Sequence, residues 1–305
     1  MTVDPNAKTA ELPATKNETG PFPTKSALVR VDIAALSDAG KVRPNNEDHY
    51  MVIRFGRSLD VLMTNLPKGE TPARAEEVGY GFAVADGMGG AKGGEVASRL
   101  AISTMFNLVQ EVPDWILRLD LDDELVQKVM RRSAQRYRQV NHRISQEAEW
   151  EPQLTGMGTT MTLVFSLGEK LILTHVGDSR TYLFRGGYLL QLTTDQTVVQ
   201  ELLKKGKITE EGAAVHPWRH ILTQALGIPG ADLKIETRQL TLDDGDCLLL
   251  CTDGLTEMVS DANIAEVLKQ ARTAGDACQA LIDLALEGGG KDNITVIVAR
   301  YCLPE

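Results

Sequence analysis

Short apolar runs separated by polar turns make up most of the chain, and only a few stretches carry a helical period. Ala27-Leu-Val-Arg-Val-Asp-Ile33 alternates with the two-residue rhythm of a strand, and Tyr50–Ile53 and Tyr80–Ala85 are two further strand-like runs. Between these two, residues 55–79 are largely polar and broken by Pro and Gly, which predicts an insertion or long loop. Val96, Ala97, Leu100, Ala101 and Met105 recur at three- and four-residue steps and predict a helix starting near Gly93. Val126, Val129, Ser133, Tyr137, Val140 and Ile144 predict a second, with Asp122 and Asp123 at its N-terminal, dipole-favoured end. Four strands follow at Thr160–Ser166, Leu171–Val176, Arg180–Phe184 and Tyr188–Leu192, the last two joined by a Gly186-Gly187 turn. Residues 195–227 read as helical and amphipathic. Leu233–Leu240 and Asp246–Cys251 read as strands, residues 261–286 as two short helices, and Asn293–Tyr301 as a final strand. Strand hairpins in some stretches and helix pairs in others predict an α+β fold, antiparallel sheets covered by helices. Residues 1–26 are rich in Pro, Thr, Lys, Glu and Asn and are expected to be a disordered tail.

Charge narrows the function. Of 305 residues, 32 are Lys or Arg and 42 are Asp or Glu, a net charge of −10. That balance argues against nucleic-acid binding, which needs clustered cations, and suits a divalent metal site. One basic stripe stands apart, Lys128, Arg131, Arg132, Arg136, Arg138 and Arg143 on the second helix. Its reading is a solvated face, with a docking surface for acidic partners as the alternative. The cysteines, Cys247, Cys251, Cys278 and Cys302, form no C-x-x-C pair and are expected to be free buried thiols in a reducing compartment. The first twenty residues hold no apolar signal-peptide core, and no stretch of 18 apolar residues exists. A cytoplasmic protein without membrane contact is therefore expected.

The candidate chemistry lies in carboxylates at strand ends. Glu47-Asp48 precedes one strand, Asp86-Gly87 and Asp253-Gly254 end two others, and Asp292-Asn293 begins the last. Each alone is an ordinary turn. Converging, they would repel one another unless divalent cations joined them, and an oxygen-only set favours Mg²⁺ or Mn²⁺ over zinc. Arg43, four residues before Glu47, is either a phosphate clamp or a structural ion pair to Glu47 or Asp48. His216 and His220 are four apart, but Pro217 prevents a regular helix from presenting both as a zinc pair.

Ser37-Asp38-Ala-Gly40, Arg43-Pro-Asn-Asn-Glu-Asp48, Val84-Ala-Asp-Gly-Met-Gly-Gly90, Gly156-Met-Gly-Thr-Thr160, Val176-Gly-Asp-Ser-Arg180, Cys251-Thr-Asp-Gly-Leu255 and Asp292-Asn-Ile-Thr295 resemble, in order, the motif series of the metal-dependent Ser/Thr protein phosphatases of type 2C, in their bacterial form. The resemblance implies a four-layer αββα sandwich over one catalytic domain, residues 27–305, with 195–227 as a flap. It implies two Mg²⁺ or Mn²⁺ ions: Asp86 bridging them, Glu47 and the Gly87 carbonyl serving one, Asp253 and Asp292 the other, and Asp48 holding a water on the metal. Arg43 would bind the substrate phosphate, with Arg219 of the flap helping to position the phosphoprotein. Asn293 would support Asp292, and Asp178 and Ser179 would brace a sheet end. The implied reaction is hydrolysis of phosphoserine and phosphothreonine, in targets of Ser/Thr kinases, by a hydroxide held between the two ions. A non-turnover phosphoprotein-binding module and a phosphatase of small phosphomonoesters are the alternatives. Two departures stand out. Met88 occupies the position where many eukaryotic members carry a general-acid His, and Leu154 the position where some bacterial members carry an Asp for a third ion.

Overall fold

The computed structural model describes residues 29–67, 69–110, 123–228 and 232–304, so the expected tail lies outside the described residues. In chain order the strands are β1 Arg30–Asp38, β2 Asp48–Asp60, β3 Arg74–Met88, β4 Gly158–Thr159, β5 Met161–Leu167, β6 Lys170–Val176, β7 Arg180–Arg185, β8 Tyr188–Gln191, β9 Glu236–Thr241, β10 Cys247–Cys251 and β11 Ile294–Cys302. The helices are α1 Gly90–Gln110, α2 Asp123–Trp150, α3 Val198–Lys204, α4 Glu210–Ala214, α5 Asp253–Thr256, α6 Asp261–Gln270 and α7 Ala274–Glu287.

One sheet has the order β1-β11-β10-β7-β8. The other has the order β2-β3-β5-β6-β9, with β4 pairing to the end of β3. Every pairing is antiparallel. Side-chain alternation divides the interior into three apolar layers. Phe82 and Val84 of β3 join Val164, Leu171, Leu173, Leu248, Leu250 and Ile297 between the sheets. Their neighbours Ala83 and Ala85 turn the other way, onto Ala97, Ala101, Met105, Tyr137 and Ile144 of α1 and α2. On the far side Val296 and Val298 meet Ala277, Cys278 and Leu281 of α7. The layers are therefore helices, sheet, sheet, helices. Ser260 caps α6, and Thr273 with Asp276 forms a capping box on α7.

Three expectations change. Residues 55–60 and 74–79 are not loop: they are the outer ends of β2 and β3, which pair in register from Asp48 opposite Asp86 to Asp60 opposite Arg74. Phe55 and Val78 still reach the core; beyond them the ribbon leaves the sandwich, and its surface carries opposite-charge contacts such as Arg54 to Glu76 (3.2 Å). Within 195–227 only α3 and α4 are helical, and residues 215–228 run as turns and bridges. Cys302 is exposed, whereas Cys247, Cys251 and Cys278 are buried, and all four are free. On α2, Lys128, Arg131 and Arg138 are exposed, while Arg143 pairs with Glu147 and lies over the Trp150 ring. Among the described residues no helix is long and apolar enough to cross a membrane.

Candidate metal centre

The strand ends that carry carboxylates meet at one end of the sandwich. Asp48 opens β2 directly opposite Asp86, near the end of β3. In the facing sheet β10 ends beside the start of β11, with Cys251 opposite Val296 and also opposite Arg180 of β7. Asp253, Asp292 and Asp178 thus leave or enter three adjacent strands at the same edge. Glu47, Asp86, Asp178, Asp253 and Asp292 all line one open groove of about 800 Å³.

Asp48 lies beneath the groove, only 6% exposed. Its Oδ2 accepts hydrogen bonds from the Thr252 hydroxyl (2.8 Å), just past β10, and the Thr295 hydroxyl (2.7 Å) of β11. Its Oδ1 is buried without a partner, and so is Oδ1 of Asp253. Burial pushes the Asp48 carboxyl up to about 7, against the pull of the two threonines. Burial and then Glu257 push Asp253 up to about 6. Asp86 is raised well above the carboxylate range by burial, then by repulsion from Asp48, Asp253, Asp178 and Asp292. Like charges facing across paired strands, and buried acceptors with no donor, are unfavourable in the metal-free protein. Hard divalent cations relieve both, and all the donors are oxygens, so this set fits two Mg²⁺ or Mn²⁺ ions.

Neighbouring loops fix these side chains. The Asn293 side chain receives the Glu47 N–H (2.7 Å) and donates to the Ala39 and Asn45 carbonyls (2.9 Å each), which ties Glu47 to the start of β11. A Cβ on Gly87 would strike the Gly94 carbonyl and approach the Glu47 carbonyl oxygen to 2.7 Å, so only glycine lets β3 pass so close to α1. Thr160 accepts the Asp86 N–H (3.0 Å) and meets the Ser179 hydroxyl (2.8 Å), while Arg180 grips Asp195 through two nitrogens (2.7–3.1 Å). Ser179 is thus a brace, but Asp178 is more: it lines the groove and is itself raised by burial and by Asp253.

Arg43 does not pair with Glu47 or Asp48. Its Nη2 donates to Asp292 Oδ2 at 2.6 Å, and the side chain stays 55% exposed at the groove mouth. Arg219 and Met88 also line the groove, as do His220 and Glu257, two residues with no role in the motif series. Glu257 follows Asp253 by one helical turn, a spacing readable in the sequence. His220 Nδ1 contacts Glu257 Oε1. Burial and then Arg219 lower the imidazole pKa, against the pull of Asp253 and Asp292. His216 is turned away: its Nδ1 accepts the Trp218 N–H at 3.1 Å. Burial pushes the Cys251 thiol up to about 12, which removes it as a nucleophile.

The family profile of Protein phosphatase 2C matches residues 72–284. The chain belongs to the protein phosphatase 2C family. It is 40% identical over 266 residues to the serine/threonine protein phosphatase PstP of Mycobacterium tuberculosis, covering 87% of this chain and 44% of that protein. The chain therefore spans less than half the length of that relative. It is 34% identical over 269 residues to the serine/threonine phosphatase stp of Listeria monocytogenes, covering 88% of this chain and 95% of that one. The crystal structure of the PstP catalytic domain in complex with two manganese ions superposes with a TM-score of 0.69 at 36% identity, covering 90% of this chain and 99% of that one. The αββα layering described above is the architecture of this family.

Proposed function

We propose that this chain is a metal-dependent protein phosphatase acting on phosphoserine and phosphothreonine, with Glu47, Asp48, Asp86, Gly87, Asp253 and Asp292 holding two Mn²⁺ or Mg²⁺ ions directly or through water. The observation that carries this reading is the convergence of mutually repelling carboxylates from both sheets on one open groove with arginines at its mouth. Bound there, the two cations supply an activated water and charge stabilisation for phosphoryl transfer to it. The protein's own contributions are distinct. Asp48 is gripped by Thr252 and Thr295 on one oxygen, which leaves the other free of protein donors. Arg43 offers a planar fork of donors for two phosphoryl oxygens, and its partner Asp292 holds that fork at the groove mouth. Arg219 adds a second cation at the rim, on the side from which a phosphoprotein would approach. Met88 has no proton to give, so the proton for the departing oxygen would come from water in the site rather than from the side chain at position 88.

The substrates are phosphorylated proteins, targets of Ser/Thr kinases. Manganese-dependent phosphate release from a phosphothreonine peptide, set beside a sugar phosphate, tests this. Peptide turnover well above sugar-phosphate turnover is expected. Retention of the peptide without phosphate release would make the chain a binding module, and the reverse preference a small-molecule phosphatase.

A further inference from the structure

We propose that His175, an imidazole buried between the two sheets, is a positioning residue for the groove: it clamps the turn that carries Asp178 there and, through Gln196, holds the root of the segment 195–228. His175 continues the inward face of β6 after Leu171 and Leu173, at strand spacing, and so lies in the apolar layer between the sheets with no exposed surface. An imidazole placed there needs partners for both nitrogens. The register supplies one, because Thr162 of β5 stands directly opposite. Nδ1 meets the Thr162 hydroxyl at 2.8 Å, and Nε2 meets the Gly177 carbonyl at 3.0 Å. A carbonyl can only accept, so Nε2 carries the proton. Burial lowers the imidazole pKa, against the pull of Glu236 and Asp195, so at neutral pH Nδ1 is bare and accepts from Thr162. One tautomer is thereby fixed, with its single N–H aimed at the backbone of Gly177.

The place of that bond in the fold gives it its consequence. β6 ends at Val176 in one sheet and β7 begins at Arg180 in the other, so residues 177–179 cross between the sheets at the end where the carboxylates meet. Gly177 has a φ of +115°, and a Cβ there would come within 2.5 Å of the Thr160 side chain, so this residue can carry no side chain to anchor itself. Its carbonyl accepts a second hydrogen bond from the Gln196 N–H at 2.8 Å, and its N–H donates to Gln196 Oε1 at 2.9 Å. The Gln196 carbonyl in turn accepts the Thr223 N–H at 2.7 Å. Arg219 and Leu222, between Gln196 and Thr223 in the chain, line the groove, and so does Asp178. A shift of Gly177 therefore moves Asp178 and this wall of the groove together, and a displacement of about 1 Å in such a site can cost about 100-fold in rate.

Two conservative variants of the full-length chain separate the two nitrogens. His175→Gln puts an amide N–H where Nε2–H stands and keeps the bond to Gly177, whereas His175→Asn reaches only the Nδ1 position and keeps Thr162. On a phosphothreonine peptide at saturating Mn²⁺, kcat/KM should stay within about threefold of the wild type in His175→Gln and fall on the order of 100-fold in His175→Asn, at similar melting temperatures. Trypsin cleavage after the exposed Arg219, followed in EDTA, should be faster in His175→Asn and unchanged in His175→Gln. The ¹⁵N spectrum of the wild-type ring near neutral pH should show Nε2 protonated and Nδ1 bare. Activity and cleavage that follow melting temperature equally in both variants would overturn the proposal and leave His175 as core packing. A ring protonated on Nδ1, alone or together with Nε2, would overturn it as well. Should His175→Asn fail to fold, Gln196→Ala cuts the same route from its partly exposed side, and wild-type rates in that variant count against the proposal equally. The kinetic comparison rests on the phosphatase reading, and the cleavage and ring spectrum do not. A wild type that releases no phosphate but shows the expected tautomer and cleavage pattern would therefore defeat that reading alone.

Discussion

Replacing Asp86 by Asn should stabilise the metal-free protein while removing its response to metal. Asp86 faces Asp48 across β2 and β3, and Asp253, Asp178 and Asp292 add further repulsion. Directly opposed residues on antiparallel strands stand about 5 Å apart, and two unit charges at that distance repel by about 3 kcal/mol at an effective dielectric near 20. The raised folded-state pKa sets the sign. Above about pH 4 the unfolded chain has released the Asp86 proton and the folded protein has not, so wild-type stability falls as pH rises. The same holds for Asp48 up to about pH 7 and for Asp253 up to about pH 6. The advantage of the variant should therefore be small at pH 4, grow by at most about 1.4 kcal/mol per pH unit, and reach about 3 kcal/mol near pH 8. The backbone contacts of residue 86 with Thr159 and Thr160 remain, so the fold is kept. Calorimetry in EDTA should show the melting temperature of Asp86→Asn above the wild type by roughly 6–12 °C at pH 8. Saturating Mn²⁺ should raise the wild type and leave the variant nearly unmoved. An advantage that does not change between pH 5 and pH 8 would refute the repulsion argument, and an equal Mn²⁺ response would refute the ligand assignment.

Asp253→Asn and Asp292→Asn should weaken Mn²⁺ binding and phosphatase turnover together, and metal titrations that match the wild type would show these residues to be misassigned. Arg43→Ala should raise KM more than it lowers kcat, since it removes a contact made in the ground state as well as at the transition state. An unchanged KM would leave Arg43 only its ion pair with Asp292. With Met88 where an acid could stand, kcat/KM across substituted phenyl phosphates at fixed Mn²⁺ should fall steeply as leaving-group pKa rises. Met88→His should flatten that slope, and a slope already flat in the wild type, with chemistry rate-limiting, would reveal another acid.

What the sequence conveys about this molecule follows from where burial is one-sided. Strands covered on both faces, such as β10 and the inner half of β3, are continuous apolar runs and are legible at once. The outer ribbon of β2 and β3 is not, because beyond Phe55 and Val78, which are still at the core, its polar pattern resembles a loop. β1 runs past the expected end at Ile33 to Asp38 because its register comes from its partner, with Leu36 opposite Val296. α5 has four residues, too few for any period. In the site, the carboxylates at the strand mouths are visible in the sequence, but their meeting is a property of strand order. Only the adjacency of β7, β10 and β11, facing the β2–β3 edge, brings Asp178 in from its expected bracing role. The contact between His220 and Glu257 has no local signal on the His220 side.

That strand order also explains how the site tolerates its own charge. Asp48 opens a strand of one sheet, and the hydroxyls that hold it come from Thr295 of β11 in the other sheet and from Thr252, just past β10. The threonines are joined as well, since the Thr295 N–H donates to the Thr252 hydroxyl at 3.0 Å and the Thr252 N–H to the Thr295 carbonyl at 3.1 Å. Each hydroxyl bond to a charged group contributes about 1.5–3 kcal/mol, which offsets much of the cost of placing a carboxylate under the groove. The brace occupies one oxygen and spares the other, so the groups that stabilise Asp48 do not compete for the face a cation needs. Sheet packing and the placement of this carboxylate are therefore coupled through one side chain: separation of the sheets at this end would release Asp48 from both hydroxyls.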